Sequence, residues 1–361
     1  MKKEGEGLSR RGFVQGALGA GAATALAGFA GCASDPASNG ARTEPWLPEK
    51  WDEETDIVIA GYGAAGVAAA ITALEAGASC IVLEKSVVED GGNFGCSAGI
   101  VHTNIQVDDP QEMKEKVIRS SFQGVPNTEA INAMVDNMQD TYPWLTDHGL
   151  KFVRTEDGSN IKRSGGGRFT LDIGTEKTGS GVNLFGALTK IAHDDGVDVR
   201  LATPITGLIQ NPLTREVLGA VATKADGTEL KIKARKAVIF CTGSYENNPE
   251  KQSWYNHTGI FQYPWGTPYN TGDGLDICAA AGATLWHLTS NEYGNFGLLP
   301  ATKEAGTAVC LQFTGLEPFN YIIVNRYGKR FMDDASSLAH NNGPKPILNF
   351  DRGKVEYTNI P

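Results

Sequence analysis

Asp56-Ile57-Val58-Ile59-Ala60-Gly61-Tyr62-Gly63-Ala64-Ala65-Gly66 is the stretch on which the fold turns. It opens on a short β-branched apolar run of the kind that forms a buried strand. After the glycines, Val67 to Ala76 is rich in alanine and reads as a helix. Strand, glycine turn and helix in that order give the Gly-x-Gly-x-x-Gly spacing its meaning. Gly61 permits a tight turn, Gly63 lets a diphosphate approach the backbone, and Gly66 lets the helix pack close to the strand. The phosphate charge then meets the helix N-terminus. A second apolar strand, Cys80-Ile81-Val82-Leu83, ends at Glu84, whose carboxylate is placed to accept hydrogen bonds from ribose hydroxyls. The spacing predicts a dinucleotide-binding βαβ unit, with FAD and NAD both open at this point.

Beyond Glu84-Lys85 lies a second glycine-rich stretch, Gly91-Gly92-Asn93-Phe94-Gly95-Cys96-Ser97-Ala98-Gly99-Ile100, read here as a loop too irregular for helix or strand. Further on, a hairpin is predicted from Val217 to Thr223, turning at Asp226-Gly227 and returning through Leu230 to Lys233. A separate buried strand, Ala237 to Phe240, enters Cys241-Thr242-Gly243-Ser244-Tyr245. Thr271-Gly272-Asp273-Gly274 precedes a helix from Leu275 to Ala281, and Asn325 to Phe331 reads Asn-Arg-Tyr-Gly-Lys-Arg-Phe.

In these motifs and their order, over roughly residues 54 to 335, the sequence resembles the flavoprotein family of fumarate reductase, succinate dehydrogenase and 3-ketosteroid dehydrogenase. In that family the second glycine-rich loop runs along the pyrophosphate of FAD and reaches the isoalloxazine ring. The resemblance implies an α/β fold: a Rossmann-like FAD-binding domain over residues 54–299, with a mostly parallel sheet discontinuous in sequence, and a partial α+β substrate-capping domain over 300–361. It implies cofactor contacts from Gly61, Gly63, Ala64, Ala65, Gly66, Glu84, Lys85, Gly91, Gly92, Asn93, Ser97, Ala98, Gly99, Thr242, Gly243 and Asp273. Some family members hold FAD covalently through a His in the second loop. Gly92 stands at that position, so the expected FAD is noncovalent.

The chemistry so implied is hydride transfer between flavin and a carbon beside an activating carbonyl or carboxylate, with the protein adding an acid or base. The fumarate reductases use an Arg after the Arg-Phe hairpin as proton donor, and Leu338 falls there. Leu299-Pro300-Ala301-Thr302 is nearest to their His-Pro-Thr segment, so fumarate is not the expected substrate. His340, Asp334 and Tyr321 are the local candidates for proton transfer. Beside the first two stand plainer readings: a surface His and a solvated Asp333-Asp334 pair. His102, His257 and His287 read as structural, and Cys96 as a packing residue. Arg163, Arg168 and Ser164-Gly165-Gly166-Gly167 read equally as an anion-recognising loop or a solvent loop.

The chain has 361 residues, enough for at least one large core, and a net charge of −10. No basic run occurs outside the extreme N-terminus, so a nucleic-acid footprint is not expected. Cysteines 32, 80, 96, 241, 278 and 310 show no redox, haem or zinc spacing, and neither a disulfide framework nor a metal site is expected. Ser9-Arg10-Arg11-Gly12-Phe13 before a soft Ala/Gly-rich stretch resembles a twin-arginine export signal. Phe29-Ala30-Gly31-Cys32 resembles a lipoprotein processing box, which makes Cys32 a candidate lipid anchor. Residues 1–32 are thus read as signal and 33–53 as linker, giving an exported, membrane-anchored flavoprotein that acts on a small-molecule substrate.

With no haem motif in the chain, its electrons are expected to pass through a separate membrane or cytochrome carrier. The family closes its FAD domain with a distal C-terminal segment, so the resemblance implies that Pro361 lies inside the cap. Two function classes stay open: an extracytoplasmic flavin-dependent reductase or dehydrogenase, and a truncated, non-catalytic dinucleotide-binding or interaction module. An NAD-dependent dehydrogenase is a lesser third, opposed by the Gly91 to Gly99 loop.

Overall fold

A computed structural model describes residues 46–103, 127–154, 167–174, 180–255, 264, 266–286, 288–289, 297–298, 311–312, 322, 324–331 and 350–358. The export signal, Cys32, His257, His287, Arg163 and the three proton-transfer candidates lie outside the described residues.

The predicted βαβ unit is present as β1 (Glu53–Ala60), α1 (Ala64–Glu75) and β2 (Cys80–Leu83). The helix begins three residues earlier than read from the sequence, directly on the glycine turn. A Cβ at Gly66 would lie 1.9 Å from the Gly61 carbonyl oxygen, so only glycine lets α1 leave the turn this close to the strand. The second glycine-rich stretch is not wholly irregular. Gly92–Gly95 forms one helical turn, α2, because the Gly95 N–H reaches back to the Gly91 carbonyl.

The chain continues through β3 (Val101–Thr103), α3 (Thr128–Asn137), α4 (Thr141–Asp147), β4 (Phe152–Arg154), β5 (Gly167–Leu171) and α5 (Gly181–Asp194). Strands β3, β5 and β4 form a separate antiparallel sheet in that order. Asn127 caps α3 by accepting from the Ala130 N–H. Then come β6 (Asp198–Arg200), β7 (Ile205–Gln210), β8 (Val217–Thr223), β9 (Glu229–Phe240), α6 (Pro249–Tyr255) and α7 (Asp273–Ala280).

The main sheet has six strands in the order β6-β2-β1-β9-β8-β7. The first four are mutually parallel and the last three antiparallel, so the sheet is parallel at its centre and discontinuous in sequence as expected. One element differs from the reading. The return of the hairpin and the strand Ala237 to Phe240 are a single twelve-residue strand, β9. Its first part pairs with β8, and it pairs with β1 along both parts, across a bulge between Thr55 and Ile57. Its last part is half-buried rather than buried, since its pairing with β8 goes no further than Lys233 and leaves one edge uncovered. Arg200, at the end of β6, donates to Glu53, at the start of β1 (2.6 Å).

Alternation along the strands builds two cores. Ile59, Cys80 and Val82 face α1 and α5, where Val67, Ala70, Ile71, Leu184, Phe185 and Leu188 cover them. Val58, Ala60, Ile81 and Leu83 face the other way, onto Ile205, Ala220, Ala222, Leu230 and Ile232 of the antiparallel strands. Both sides of β1 are therefore dry, which accounts for its unbroken apolar run.

The region read as a cap is described only in part. β10 (Gly297–Leu298) pairs with β11 (Leu311–Gln312), and β12 (Phe350–Asp351) with β13 (Glu356–Tyr357). The Asn-Arg-Tyr-Gly-Lys-Arg motif is a hairpin, with Val324 bridged to Arg330. No helix among the described residues is long and apolar enough to cross a membrane.

Candidate functional site

The carboxyl ends of β1, β2 and β9 open into a cleft of about 660 Å³, within the usual range for small-molecule sites of roughly 300–1,000 Å³. Gly61, Glu84 and Thr242-Gly243 stand at the three strand ends. Gly91 to Phe94 form one wall, and Thr267, Tyr269, Asn270 and Asp273 another. Ligands bind at this edge of open parallel sheets because the strands there diverge into loops and the following helices point their N-termini at the gap.

α1 does so here. Its N-cap is Gly63, with no side-chain cap and no acidic residue in the first turn. Ala64 and Ala65 line the cleft, so their main-chain N–H groups, which have no partner inside the helix, face it. That is an anion site built from backbone and helix dipole. Opposite it, Gly91 comes so near that a Cβ on Gly63 would lie 3.3 Å from its carbonyl. Phe185 of α5 holds this wall, edge-on to Tyr62 at 5.8 Å and to Phe94 at 6.3 Å between ring centres. Burial pushes the Tyr62 phenol up to about 12, with Glu89 adding to the shift, so it stays neutral and serves packing.

Glu84 does two things at once. One carboxylate oxygen accepts from the Tyr62 N–H (2.7 Å) and the other from the Ser86 N–H (2.6 Å), which ties the glycine turn to the end of β2. Each oxygen keeps acceptor capacity toward the cleft. Lys85, read as a cofactor contact, lines the cleft and donates to Asp273 (2.7 Å), to the Thr271 hydroxyl (2.5 Å) and to the Tyr269 carbonyl (3.4 Å). An ammonium has three protons, so Lys85 works as a clasp between β2 and α7.

The structure thus brings Gly61, Gly63, Ala64, Ala65, Glu84, Lys85, Gly91, Gly92, Asn93, Thr242, Gly243 and Asp273 around one cleft. Four sequence candidates, Gly66, Ser97, Ala98 and Gly99, do not line it. Gly66, inside α1, is packed against the Gly61 carbonyl, and Ser97 and Gly99 lie against the start of α5. The Ser97 carbonyl accepts from the Gly181 N–H (2.9 Å), and Gly99 lies against Ser180. Their small size serves close packing of loop on helix. Cys96 was expected to pack and is exposed; its thiol is pushed upward by desolvation and by Asp90, away from reactive thiolate.

Sequence reasoning missed Asp90, Thr267, Asn270 and Glu246. Asp90 accepts from the Gly92 N–H (2.8 Å) and the Thr267 hydroxyl (3.0 Å), pinning two walls together. Its place directly before Gly91-Gly92 was the available signal. Asn270 precedes the Thr-Gly-Asp-Gly motif in the same way. Among the described residues no group of His, Cys, Asp and Glu could hold a metal ion.

Residues 56–347 match the family described as FAD binding domain. The chain belongs to that family. Among curated relatives of this flavoprotein, a vinyl phenol reductase from Lactiplantibacillus plantarum is 27% identical over 78% of the chain and 56% of its own length. A digoxin reductase from Eggerthella lenta is 28% identical over 77% of the chain and 55% of its own length. Among solved structures, a 3-ketosteroid-Δ4-(5α)-dehydrogenase from Rhodococcus jostii, in complex with 4-androstene-3,17-dione, superposes with a TM-score of 0.60. It is 25% identical, over 69% of this chain and 58% of that one. The flavoprotein spans a little over half the length of the curated relatives it matches.

The cleft fits FAD on its own chemistry. The open N–H groups of α1 suit a diphosphate, Glu84 suits ribose hydroxyls, and the glycines opposite leave the width a Cβ would fill.

Proposed function

We propose that this chain forms the FAD-binding part of a flavin-dependent reductase or dehydrogenase acting on a carbon–carbon bond of a small unsaturated or saturated organic substrate. The observation that carries the reading is the uncapped N-terminus of α1 beside Glu84 in a glycine-walled cleft, in a chain whose relatives are named as reductases. When bound, FAD supplies the hydride donor or acceptor. The residues of the chain do the rest. Ala64 and Ala65 offer N–H groups to the diphosphate, and Glu84 accepts from the ribose. The Lys85 clasp and the Asp90–Thr267 bond hold the far wall against the βαβ unit. The proton that accompanies hydride transfer is assigned to the chain on either side of the Asn-Arg-Tyr-Gly-Lys-Arg hairpin, with His340 and Asp334 after it and Tyr321 before it as candidates.

Attachment of FAD is noncovalent in this reading, because the loop from Gly91 to Gly99 contains no His. The arginine pair at Arg10-Arg11 and the Cys32 box support an exported, lipid-anchored protein. A separate membrane or cytochrome carrier then exchanges its electrons. The test is anaerobic reoxidation of the reduced flavin by an unsaturated acid, a vinyl phenol and an enone steroid. At least one should reoxidise it ten times faster than buffer. Reoxidation by none of them, with flavin bound, favours the non-catalytic module.

A further inference from the structure

We propose that Glu246, which lies outside the lining of the cleft, fixes the orientation of two asparagine amides inside it, so that Asn270 presents its carbonyl oxygen to an N–H or O–H donor of the cofactor. The proposal rests on the FAD reading above and adds to it a positioning residue and an acceptor.

Glu246 follows the turn at the end of β9. Its Oε1 accepts from Nδ2 of Asn93 (2.6 Å) and from Nδ2 of Asn270 (2.8 Å). A carboxylate only accepts, so both amides must turn their NH2 groups toward it and their oxygens away. The two ends of an asparagine amide are otherwise nearly interchangeable in shape, and Glu246 removes that freedom.

The consequences differ for the two. Oδ1 of Asn93 accepts from the Thr267 N–H (3.1 Å) and is used within the protein. Oδ1 of Asn270 receives no donor among the described residues, although Asn270 is only 8% exposed and lines the cleft. That oxygen is not sealed in the interior, so a donor in the cleft is free to reach it. The amide lies directly over Gly243 (φ +71°), where a Cβ would come 2.4 Å from Oδ1, so a side chain there would displace it.

The backbone around the network is held as well. The Glu246 carbonyl accepts from Nε2 of Gln252 (2.5 Å), the Asn247 N–H donates to the Asn270 carbonyl (2.9 Å), and Asn247 Nδ2 donates to the Thr267 carbonyl (2.6 Å). Three segments far apart in sequence therefore meet at one oxygen atom.

The experiment titrates the flavin-free full chain with FAD, following flavin fluorescence, for wild type, Glu246→Gln, Glu246→Ala, Asn270→Ala and the double alanine variant. Glu246→Gln keeps an acceptor oxygen and should stay within threefold of wild type. Each single alanine variant should bind at least tenfold more weakly. The double variant should be no weaker than the weaker single by more than threefold, since both changes act through one amide. Glu246→Ala within threefold of wild type, or a double variant equal to the product of the singles, overturns the proposal.

Side-chain amide proton exchange in the wild-type chain, assigned by loss of signal in Asn93→Ala and Asn270→Ala, decides the orientation even if Glu246→Ala does not fold. Slow exchange of both NH2 groups supports the proposal, and exchange at the rate of free asparagine overturns it. A wild-type chain that takes up no FAD overturns the functional reading itself, while the exchange rates still decide what Glu246 holds.

Discussion

Level with the amino end of β2, Asp56 of β1 accepts from the Ser79 N–H (3.0 Å) and from Arg235 of β9 (2.9 Å), with Lys236 at 3.4 Å. Arg235 also reaches Glu54 and the Ser79 hydroxyl, and the polar groups there satisfy one another. At the carboxyl ends the same strands run into Gly61, Glu84 and Thr242-Gly243, where backbone N–H groups and carboxylate lone pairs face a cleft. One end of the sheet is closed by its own side chains and the other is left for a ligand. Substitutions at the two ends should therefore register in different measurements, one in stability and the other in binding.

The largest effect is expected where the open end depends on close packing. Gly66→Val drives a side chain into the Gly61 carbonyl and should cost more than ~3 kcal/mol, seen as loss of a cooperative thermal transition. A variant that melts like wild type would show that α1 does not need this approach. Ile71→Ala, in the core behind the turn, should cost about 2–5 kcal/mol of stability, while FAD affinity of the folded protein stays within threefold. Matching losses in both would erase the distinction between core and site.

Glu84→Ala should do the reverse. Losing a charged acceptor to ligand and turn should weaken FAD binding by roughly 10–100-fold, about 1.5–3 kcal/mol, with a smaller change in the melting of the flavin-free chain. The smallest effect belongs to the closed end. The Arg235 hydrogen bond, aided by the Ser79 N–H, holds the Asp56 carboxyl at about 2, below its ordinary 3.8. A lowered carboxylate contributes stability that is full above its unfolded value and fades as pH falls through the folded one. Arg235→Met should therefore lower the melting temperature slightly above about pH 4, with the gap to wild type closing toward pH 2. A gap of constant size across that range would assign the loss to packing of the Arg235 stem.

The carboxyl end was legible where local spacing carries the physics. Gly61, Gly63 and Glu84 are fixed by the strand-turn-helix-strand order, and Asp273 by the glycines around it. Glu246, Thr267 and Asn270 were not legible, because they meet through contacts between segments up to 177 residues apart, and no period marks them. Ser97, Ala98 and Gly99, expected at the ligand from the family resemblance, lie outside the lining of the cleft, and small residues serve close packing and ligand approach alike. β9 was split in two because Arg235-Lys236 interrupts its apolar run. The strand stays whole because both residues pair with Asp56 across the sheet.

Whether the carboxyl-end cleft holds FAD decides what this chain does. The visible absorbance spectrum of the purified chain, with the cofactor released by denaturation and identified by mass, tests that most directly. An oxidised-flavin spectrum at close to one FAD per chain, with all flavin freed on unfolding, is the expected result. A colourless chain that also fails to take up added FAD would contradict it.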